Sequence, residues 1–413
     1  MSSVWEERIM KRWKKIVLVL VGLLLLSQVP FIYRRYQIGR LHAEVERLNS
    51  ERVADQGGNG YADYKGVIHV HSLLGGHSTG NFEDIIKAAN LNQLSFVIMT
   101  EHPSRYVNTA LMTLKGLHEG VLFVNGNEIS TSEQDRLLLM PGSADPNALG
   151  SLSTREVVSR EKARGGLAFI AYPQEFRSWE VSDYDGIEIY NLYTNARRIN
   201  YFSLFFDGLW SYWSYPDLLF HTFYERPGES LQKWDHLNAT GNRRLVAIAG
   251  NDAHANIGLS LQDAGGRKFL QIQLDPYERS FRVVRTHVLL EKDEPLSEQS
   301  LLRALASGHC FISFDLFCDA SGFRYSAENK TEKKIMGDEI GLGDGVRLTV
   351  KTPVKSRIVL FRDGTPVGAE DETSSKEFLV NQKGVYRVEA YLNQLREYVG
   401  DKPWIISNPI YVR

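Results

Sequence analysis

Six short apolar runs, each followed by polar or ionisable residues, constrain the fold of this 413-residue chain more than any other feature. They alternate with helical patterns from Tyr64 onward. Strands that alternate with helices in this way are typical of an α/β domain of the β/α-barrel type, whose active site is built at the carboxyl ends of the strands. The runs lie at residues 66–70, 94–99, 121–124, 167–171, 186–190 and 245–249.

Histidines and carboxylates make up most of these strand ends. His69 and His71 leave the same face of the first strand, because side chains alternate along a strand, and His77 follows beyond a Gly-Gly turn. A chain with eleven histidines can contain a His-x-His pair by chance, so the prediction of a metal site depends on the residues that follow the other strands. Imidazoles and carboxylates together suit Zn, Mn or Fe, and a hydroxide held between two such ions is a nucleophile at neutral pH. The partners are His102, Glu128, Tyr172, Asn191, Asp252 and His254.

In this order and placement the motifs resemble those of the PHP (polymerase and histidinol phosphatase) family of metal-dependent phosphoesterases. The resemblance implies a distorted seven-stranded β/α barrel that holds up to three metal ions. It covers Lys65 to Phe314 and rests on His69-x-His71 with His77, on His102, on Gly126-x-Glu128, on Tyr172-Pro173 and on Asp252-x-His254.

The resemblance also assigns ligands residue by residue. One ion, with its metal-bound hydroxide, would be held by His69, His71, Glu128 and Asp252, and Glu128 would be shared between ions. A second ion would be held by His77, His102 and His254.

A third ion has poorer ligands. The family uses two further histidines there, one of which usually precedes a proline. This chain has Tyr172 before Pro173 and Asn191 at the end of the next strand. A phenol and an amide oxygen are weaker ligands than imidazole. We therefore expect two firmly bound divalent ions and a weak or absent third.

The N-terminal segment predicts a membrane anchor. Residues 16–32 are almost uninterruptedly apolar, with five close basic residues before them and Arg34 and Arg35 after them. A cleaved signal peptide is the alternative, but the end of the run has no small-x-small cleavage site. The basic flanks favour a single-pass protein of bacterial inner-membrane type, with the catalytic region on the extracytoplasmic side.

A short amphipathic stalk follows the apolar run, and the glycines within residues 57–60 then mark a linker. An apolar stripe of this kind pairs with a second copy in a homodimer, or lies on the chain's own domain or on the membrane surface. The sequence leaves these alternatives open. The stripe consists of Ile38, Leu41, Val45 and Leu48.

Three further features have two interpretations each. Arg105 and Arg177 follow strand ends, where a loop can offer a guanidinium to a phosphate, but solvated surface arginines are the alternative. The aromatic stretch from Tyr201 to Trp234 is too interrupted by charge to span a bilayer. It is expected to pack in the core, or to form a lid or membrane-facing wall beside the site. Cys310 and Cys318 are expected to be buried thiols rather than a disulfide.

Beyond residue 315 the apolar period changes to two, with an Asp363-Gly364 hairpin turn, which predicts an all-β sandwich. The expected organisation is a flank and anchor at 1–35, a stalk and linker at 36–60, a barrel at 61–315 and the sandwich at 316–413. A net charge of −2 gives no support to nucleic-acid binding through a basic surface.

Together these features predict a membrane-anchored phosphatase or phosphodiesterase that hydrolyses a phosphate ester. One alternative is a metal-binding sensor or scaffold at the membrane that has lost activity, which Tyr172 and Asn191 favour and the seven intact ligands disfavour. Another is an amidohydrolase-like C–N hydrolase. That class normally needs a metal-bridging carbamylated lysine, and no strand end here supplies a lysine.

Overall fold

Residues 2–50 form one helix. The computed structural model describes residues 2–53, 60–143, 145–196, 200–241, 243–262 and 268–413, so the predicted linker glycines Gly57 and Gly58 lie outside the described residues. Helix α1 (Ser2–Ser50) contains both the apolar run and the stalk. From Met10 onward it includes a stretch long and apolar enough to cross a membrane. The apolar side chains of that stretch are exposed, as the 69% exposure of Leu18 illustrates.

The stalk half of α1 packs on the body of the protein. Its four apolar residues are between 0% and 7% exposed and belong to the largest hydrophobic core. This corresponds to the alternative in which the stalk lies on its own domain. The homodimer stays a prediction, and the side chains proposed to form it are already covered.

Alternating strands and helices follow, and their ends are set by ordinary capping chemistry. Asn81 and Asp84 form a capping box at the start of α2, and Ser153 and Glu156 do the same for α5. The elements up to residue 163 are β1 (Tyr61–Val70), α2 (Phe82–Leu91), β2 (Phe96–Met99), α3 (Thr109–Met112), β3 (Gly116–His118), β4 (Val121–Val124), β5 (Asn127–Ser130), β6 (Arg136–Met140), α4 (Pro146–Leu149) and α5 (Thr154–Ala163).

The second half of this region has the longest insertion between strands. Its last helix, α10, begins after the N-cap Ser297 and ends at the left-handed Gly308. The elements are β7 (Leu167–Ala171), β8 (Gly186–Asn191), α6 (Leu192–Ala196), α7 (Tyr201–Ser211), α8 (Gly228–Thr240), β9 (Val246–Ala253), β10 (Gly258–Gln262), β11 (Lys268–Gln273), α9 (Tyr277–Val283), β12 (Arg285–Glu291), α10 (Glu298–Ser307) and β13 (Cys310–Ser313).

The strands pair into a mixed sheet. Six of them are parallel neighbours in the order β4, β2, β1, β9, β8, β7, and these are the six strands predicted from the sequence. Strand β7 pairs antiparallel with β6, which forms a hairpin with β5. A bridge between Glu101 and Asn127 joins the end of β2 to β5. The series of paired strands from β2 through β1, β9, β8, β7 and β6 to β5 therefore closes on itself. The β5–β6 hairpin was not predicted.

The C-terminal region is antiparallel for the most part. The turn between β17 and β18 has Asp363 and Gly364 at φ 51° and 80°, as a type I′ hairpin requires. Strands β13 and β20 are hydrogen bonded across the predicted boundary at residue 315, which stays a prediction. The elements are β14 (Arg324–Glu328), β15 (Lys333–Ile335), β16 (Glu339–Ile340), β17 (Val346–Arg362), β18 (Thr365–Val380), β19 (Gly384–Tyr391), α11 (Arg396–Val399), β20 (Ile405–Ser407) and β21 (Ile410–Val412).

Both cysteines are buried and free, as predicted. Cys310 lies in β13, where burial raises the pKa of its thiol to about 12. Neither thiol is placed to act as a nucleophile, because a reactive cysteine needs an exposed site that favours the thiolate.

Candidate metal centre

The seven predicted ligands come together in two groups. Because β1, β2, β8 and β9 are parallel, their carboxyl ends meet at one edge of the sheet. The atoms that can bind a metal lie within 4.8 Å of one another in each group. His71 belongs to both groups, whereas the sequence placed it in one. The groups are His69, His71, Glu128 and Asp252, and then His71, His77, His102 and His254.

In the first group two imidazoles face two carboxylates. His69 Nε2 lies 3.1 Å from Glu128 Oε2 and 3.4 Å from Asp252 Oδ1. His71 Nε2 lies 3.3 Å from the same Glu128 oxygen and 3.5 Å from the same Asp252 oxygen. All four residues are at most 2% exposed. One oxygen of each carboxylate therefore faces one nitrogen of each ring.

These separations are those of ligands around one ion. In a tetrahedral site with metal–ligand bonds of about 2.0–2.1 Å, neighbouring ligand atoms are about 3.3 Å apart. The four donor–acceptor separations in the first group span 3.1 to 3.5 Å. The first group thus has the size that a transition-metal ion requires.

Three buried atoms of this centre also lack hydrogen bonds. They are both ring nitrogens of His71 and Oδ1 of Asp252. A buried polar atom without a partner costs about 1–3 kcal/mol, so such atoms are rarely left without a function. A cation that both residues bind accounts for Nε2 of His71 and Oδ1 of Asp252, which lie 3.5 Å apart, and the group fits a divalent metal.

The second group is made of four imidazoles. His254 Nδ1–H donates to the carbonyl oxygen of Asp252 at 2.8 Å, which turns its Nε2 toward His77 Nε2 at 2.7 Å. His102 Nε2 lies 3.2 Å from Glu128 Oε2, the oxygen that His69 and His71 also approach. Glu128 therefore lies between the two groups, where the resemblance places a shared carboxylate.

Glu188 is a residue of the centre that the sequence analysis missed. It lies in the middle of β8, is fully buried, and accepts a hydrogen bond of 2.6 Å from Nδ1–H of His69. That bond fixes the ring tautomer and leaves Nε2 of His69 as the ligand atom. Gly250 on β9 makes room for it, because a Cβ there would overlap Glu188 Oε1. A glutamate inside an otherwise apolar buried strand was the signal available.

The carboxylates dominate the electrostatics of the first group. Burial opposes a charge on the His69 ring, but Glu188, Asp252 and Glu128 outweigh it and raise the pKa of His69 well above its ordinary value. Burial likewise opposes the charge on Glu128, but His69 and His71 hold its pKa well below the usual range. Three carboxylates around His69 make this an environment that attracts cations.

The second group has the opposite electrostatics. Burial lowers the pKa of His102 to about 3, with Glu128 acting against it. Burial, together with the nearby His71, lowers the pKa of His254 to about 4. Both rings are therefore neutral at physiological pH, the form in which imidazole binds a metal.

A third ion does not fit the residues present. The hydroxyl of Tyr172 donates to Asp252 Oδ2 at 2.5 Å. The amide of Asn191 donates to Glu188 Oε2 at 3.1 Å and to Asp252 Oδ2 at 3.2 Å, and its oxygen accepts from the backbone of Thr194. Both residues thus serve as hydrogen-bond donors to the carboxylates rather than as ligand oxygens.

An arginine completes this replacement. Arg136 Nη1 lies 2.7 Å from Oε1 of Glu128, the oxygen that faces away from the histidines. Its guanidinium also lies over the ring of Tyr172, 5.4 Å from the ring centroid. A fixed cation and two neutral donors therefore occupy the carboxylate positions that a third metal would need.

The backbone is strained at this centre. His69, Tyr172 and Asp252 have φ values of 69°, 49° and 48°, in the left-handed region that side chains with a Cβ rarely adopt. Each such residue costs about 1–3 kcal/mol, and strain of this kind clusters at functional sites. The three residues lie at the ends of β1, β7 and β9, where the site is assembled.

The phosphate-binding role of the two arginines named from the sequence stays a prediction. Arg105 and Arg177 are both exposed, and no described contact joins either of them to the metal groups. The arginine that the structure places at the centre is Arg136, whose side chain is 40% exposed and so reaches solvent. It starts the unpredicted strand β6.

A third cluster of His287, Asp315 and Asp319 has its own cations. Arg285 pairs with Asp315 at 3.1 Å, and Lys65 pairs with Asp319 at 2.8 Å. His287 donates to Asp63 and Asp315, and this buried cluster is accounted for as an ion-pair network.

Comparisons with known proteins give similarities only at the level of structure. No protein-family model and no curated protein matches the sequence. A two-domain protein from Bacteroides vulgatus, described as containing a predicted PHP-like metal-dependent phosphoesterase, is 14% identical with a TM-score of 0.39. That match covers 87% of this chain and 98% of the other.

Two further solved structures are similar to a smaller part of the chain. PsfC from Pseudomonas syringae is 13% identical with a TM-score of 0.36, and the match covers 61% of this chain and 91% of that one. The lesion-specific endonuclease PfuEndoQ from Pyrococcus furiosus is 12% identical with a TM-score of 0.37. That match covers 67% of this chain and 64% of the other.

Proposed function

We propose that the protein is a metal-dependent phosphoesterase with two divalent ions and an arginine at its centre. The observation that carries this proposal is the pair of ligand groups joined by His71 and Glu128, of which the first is fully buried and has separations of 3.1 to 3.5 Å. Zn, Mn and Fe suit this mixture of imidazole and carboxylate ligands.

Two bound divalent ions supply an activated water at neutral pH and neutralise charge on a phosphoryl group. The chain's own residues do the rest of the work. Glu188 holds the His69 ring in one tautomer, and Tyr172 and Asn191 orient Asp252 through their hydrogen bonds to Oδ2. Burial keeps His102 and His254 unprotonated, so that their lone pairs stay available.

Arg136 supplies the remaining positive charge for the substrate. Its guanidinium is bound to Glu128 on one side and is 40% exposed on the other. A guanidinium placed in this way can bind a phosphoryl oxygen through charge-assisted hydrogen bonds. We therefore assign the role of phosphate contact to Arg136 in place of Arg105 and Arg177.

We further propose that α1 anchors the protein in a membrane as a single pass. Its apolar, exposed stretch and basic flanks support this, and the flanks favour the metal centre on the extracytoplasmic side. We also retain the distorted β/α barrel and the C-terminal β-sandwich as our description of the fold class. The closed order of strand pairings supports the first, and the alternating burial along β17 supports the second.

Hydrolysis of aryl phosphates tests this function. The full chain is purified in detergent, because the stalk residues of α1 are part of its core. It is supplied with Zn²⁺, Mn²⁺ or Fe²⁺ and assayed on an aryl phosphate monoester and on a diester. His71→Ala is compared with His118→Ala, a histidine away from the centre.

Turnover that requires added metal and disappears in His71→Ala alone is the expected result. Metal binding without hydrolysis of either ester would support the sensor or scaffold instead. Equal turnover by His71→Ala and the wild-type chain would contradict the proposed site.

A further inference from the structure

Helix α7 packs against α1 near the end of the apolar run. The rings of Phe31 on α1 and Phe206 on α7 are stacked with their centroids 4.7 Å apart. Beside them Arg34 forms an ion pair of 3.0 Å with Asp207, whose side chain is only 10% exposed. The two helices are thus joined by an aromatic contact and an ion pair whose carboxylate is nearly buried.

The contact continues through the C-terminal end of α7. Trp210 donates from Nε1 to Gln28 Oε1 at 3.1 Å, and Arg35 donates to the carbonyl oxygen of Trp210 at 2.6 Å and to Ser214 Oγ at 3.0 Å. These bonds fix α7 at one level along α1.

That level is the end of the segment that can cross a membrane. The apolar run covers residues 16–32, which is about 25 Å at a rise of 1.5 Å per residue. Two of the residues that touch α7, Gln28 and Phe31, lie in its last turns, and Arg34 and Arg35 follow directly after it. In a bilayer spanned by this run, α7 would lie at the boundary between hydrocarbon and headgroups.

The neighbouring face of α7 is apolar and exposed, and one of its residues, Phe202, also lies edge-on to Phe31 with the ring centroids 6.4 Å apart. Phe202, Phe205 and Leu209 are 67%, 66% and 60% exposed, and Trp213 just beyond the helix is 83% exposed. Their spacing of three or four residues places them on one side of a helix. Large side chains of this kind seldom cluster on a surface in contact with water alone.

We propose that this aromatic face (Phe202, Phe205, Leu209 and Trp213) inserts into the interfacial layer of the bilayer that α1 spans. Tryptophan and phenylalanine are the residues that amphipathic interfacial helices place at this depth. The contact between α7 and the end of the apolar run identifies the bilayer as the partner of this face, because that contact brings the aromatic face to the lipid boundary. The inference rests on the proposed anchor and not on the proposed catalysis.

The contact bears on the metal centre because of its place in the chain. Helix α7 lies in the insertion between β8 and β9, the strands that carry Asn191 and Asp252. Helix α6 follows Asn191 directly, and the ring of Tyr193 on α6 lies 5.6 Å from that of His254. A bilayer that holds α7 would therefore position the part of the chain that borders the site.

Depth-dependent fluorescence quenching in vesicles tests this proposal. Phe205→Cys in the full chain is labelled with an environment-sensitive fluorophore, and Leu379→Cys, at an 81% exposed leucine of β18, is the matched control. The native cysteines are both buried and so resist labelling. Each protein is reconstituted into phosphatidylcholine vesicles with and without phosphatidylcholine brominated on its acyl chains, and flotation verifies association.

The expected result is a blue shift and a loss of emission at position 205 in brominated vesicles, with neither change at position 379. Flotation without quenching at 205 would overturn this inference and leave the anchor standing. Shielding of 205 from both brominated lipid and aqueous iodide would also overturn it, because a second protein copy would then cover the face. Failure to float would overturn the anchor and this inference together, and none of these results depends on metal or turnover.

Discussion

The change Glu188→Gln tests how the centre holds its first ion. Glu188 accepts a hydrogen bond of 2.6 Å from His69 Nδ1–H on one oxygen and one of 3.1 Å from Asn191 Nδ2 on the other. Glutamine has nearly the same volume but offers only one acceptor oxygen. Whichever way its amide turns, an NH₂ group faces either the His69 ring or the Asn191 amide, donor against donor.

The structure sets the expected size of the effect. A hydrogen bond to a charged group contributes about 1.5–3 kcal/mol, and loss of a group that orients a metal-binding histidine lowers metal affinity about 10- to 100-fold. Because the bond is short and fully buried, we expect a loss within that range for the ion bound by His69. His77, His102 and His254 make no described hydrogen bond to Glu188, so the other ion should be held as before.

Competition with a chelator measures this difference. The full chain is loaded with Zn²⁺, titrated with a chelator of known affinity, and the two release steps are compared between wild type and variant. Glu161→Gln is the matched control, since Glu161 is also a buried glutamate but lies on α5 and pairs with Arg164 just beyond the end of that helix. If Glu188→Gln released both ions at the wild-type chelator concentrations, the orienting role of Glu188 would be refuted.

Three other changes have distinct expected outcomes. Arg136→Gln should lower kcat/KM for an aryl phosphate about 100- to 1,000-fold with two ions still bound, while Arg177→Gln should leave it unchanged; steady-state kinetics and metal analysis decide. Leu48→Ala, in the core contact of the stalk, should cost about 2–5 kcal/mol in urea unfolding, and Leu18→Ala in the exposed apolar run should cost little. His287 has its pKa raised to about 9 because, although burial opposes its charge, Asp63 and Asp315 outweigh that effect. The stability that the protonated ring adds is complete below pH 6.5 and is lost as pH rises through 9. The free energy of unfolding should therefore fall by up to about 3 kcal/mol between pH 7 and pH 10. In His287→Gln this dependence on pH should be weaker.

The strands and ligands of the centre could be predicted because both follow a recognisable pattern in the sequence. Buried parallel strands are continuous apolar runs, and the polar residue that ends each run is easily seen. His69, His102 and Asp252 were found in this way, and all three lie at the predicted edge. The order of strand ends also fixed which side chains would meet, because parallel strands end at the same edge.

The residues that support the ligands could not be predicted in the same way. Glu188 lies inside an apolar strand rather than at its end, and only the cost of burying a lone carboxylate pointed to a partner. Arg136 starts a hairpin strand that was not predicted, and its pairing with Ala171 of β7 joins residues distant in sequence. The burial of Leu41 and Leu48 was equally unpredictable, because the same spacing serves a coiled coil, a membrane surface and a domain core.

Counting the bound metal ions in wild type and single-histidine variants tests the central claim most directly. His71 is shared by both groups, whereas His69 and His77 belong to one each. Metal analysis of the full chain should give two ions in the wild type, one in His69→Ala, one in His77→Ala and none held firmly in His71→Ala. A wild-type chain without bound metal, or a His71→Ala chain that keeps both ions, would contradict the account.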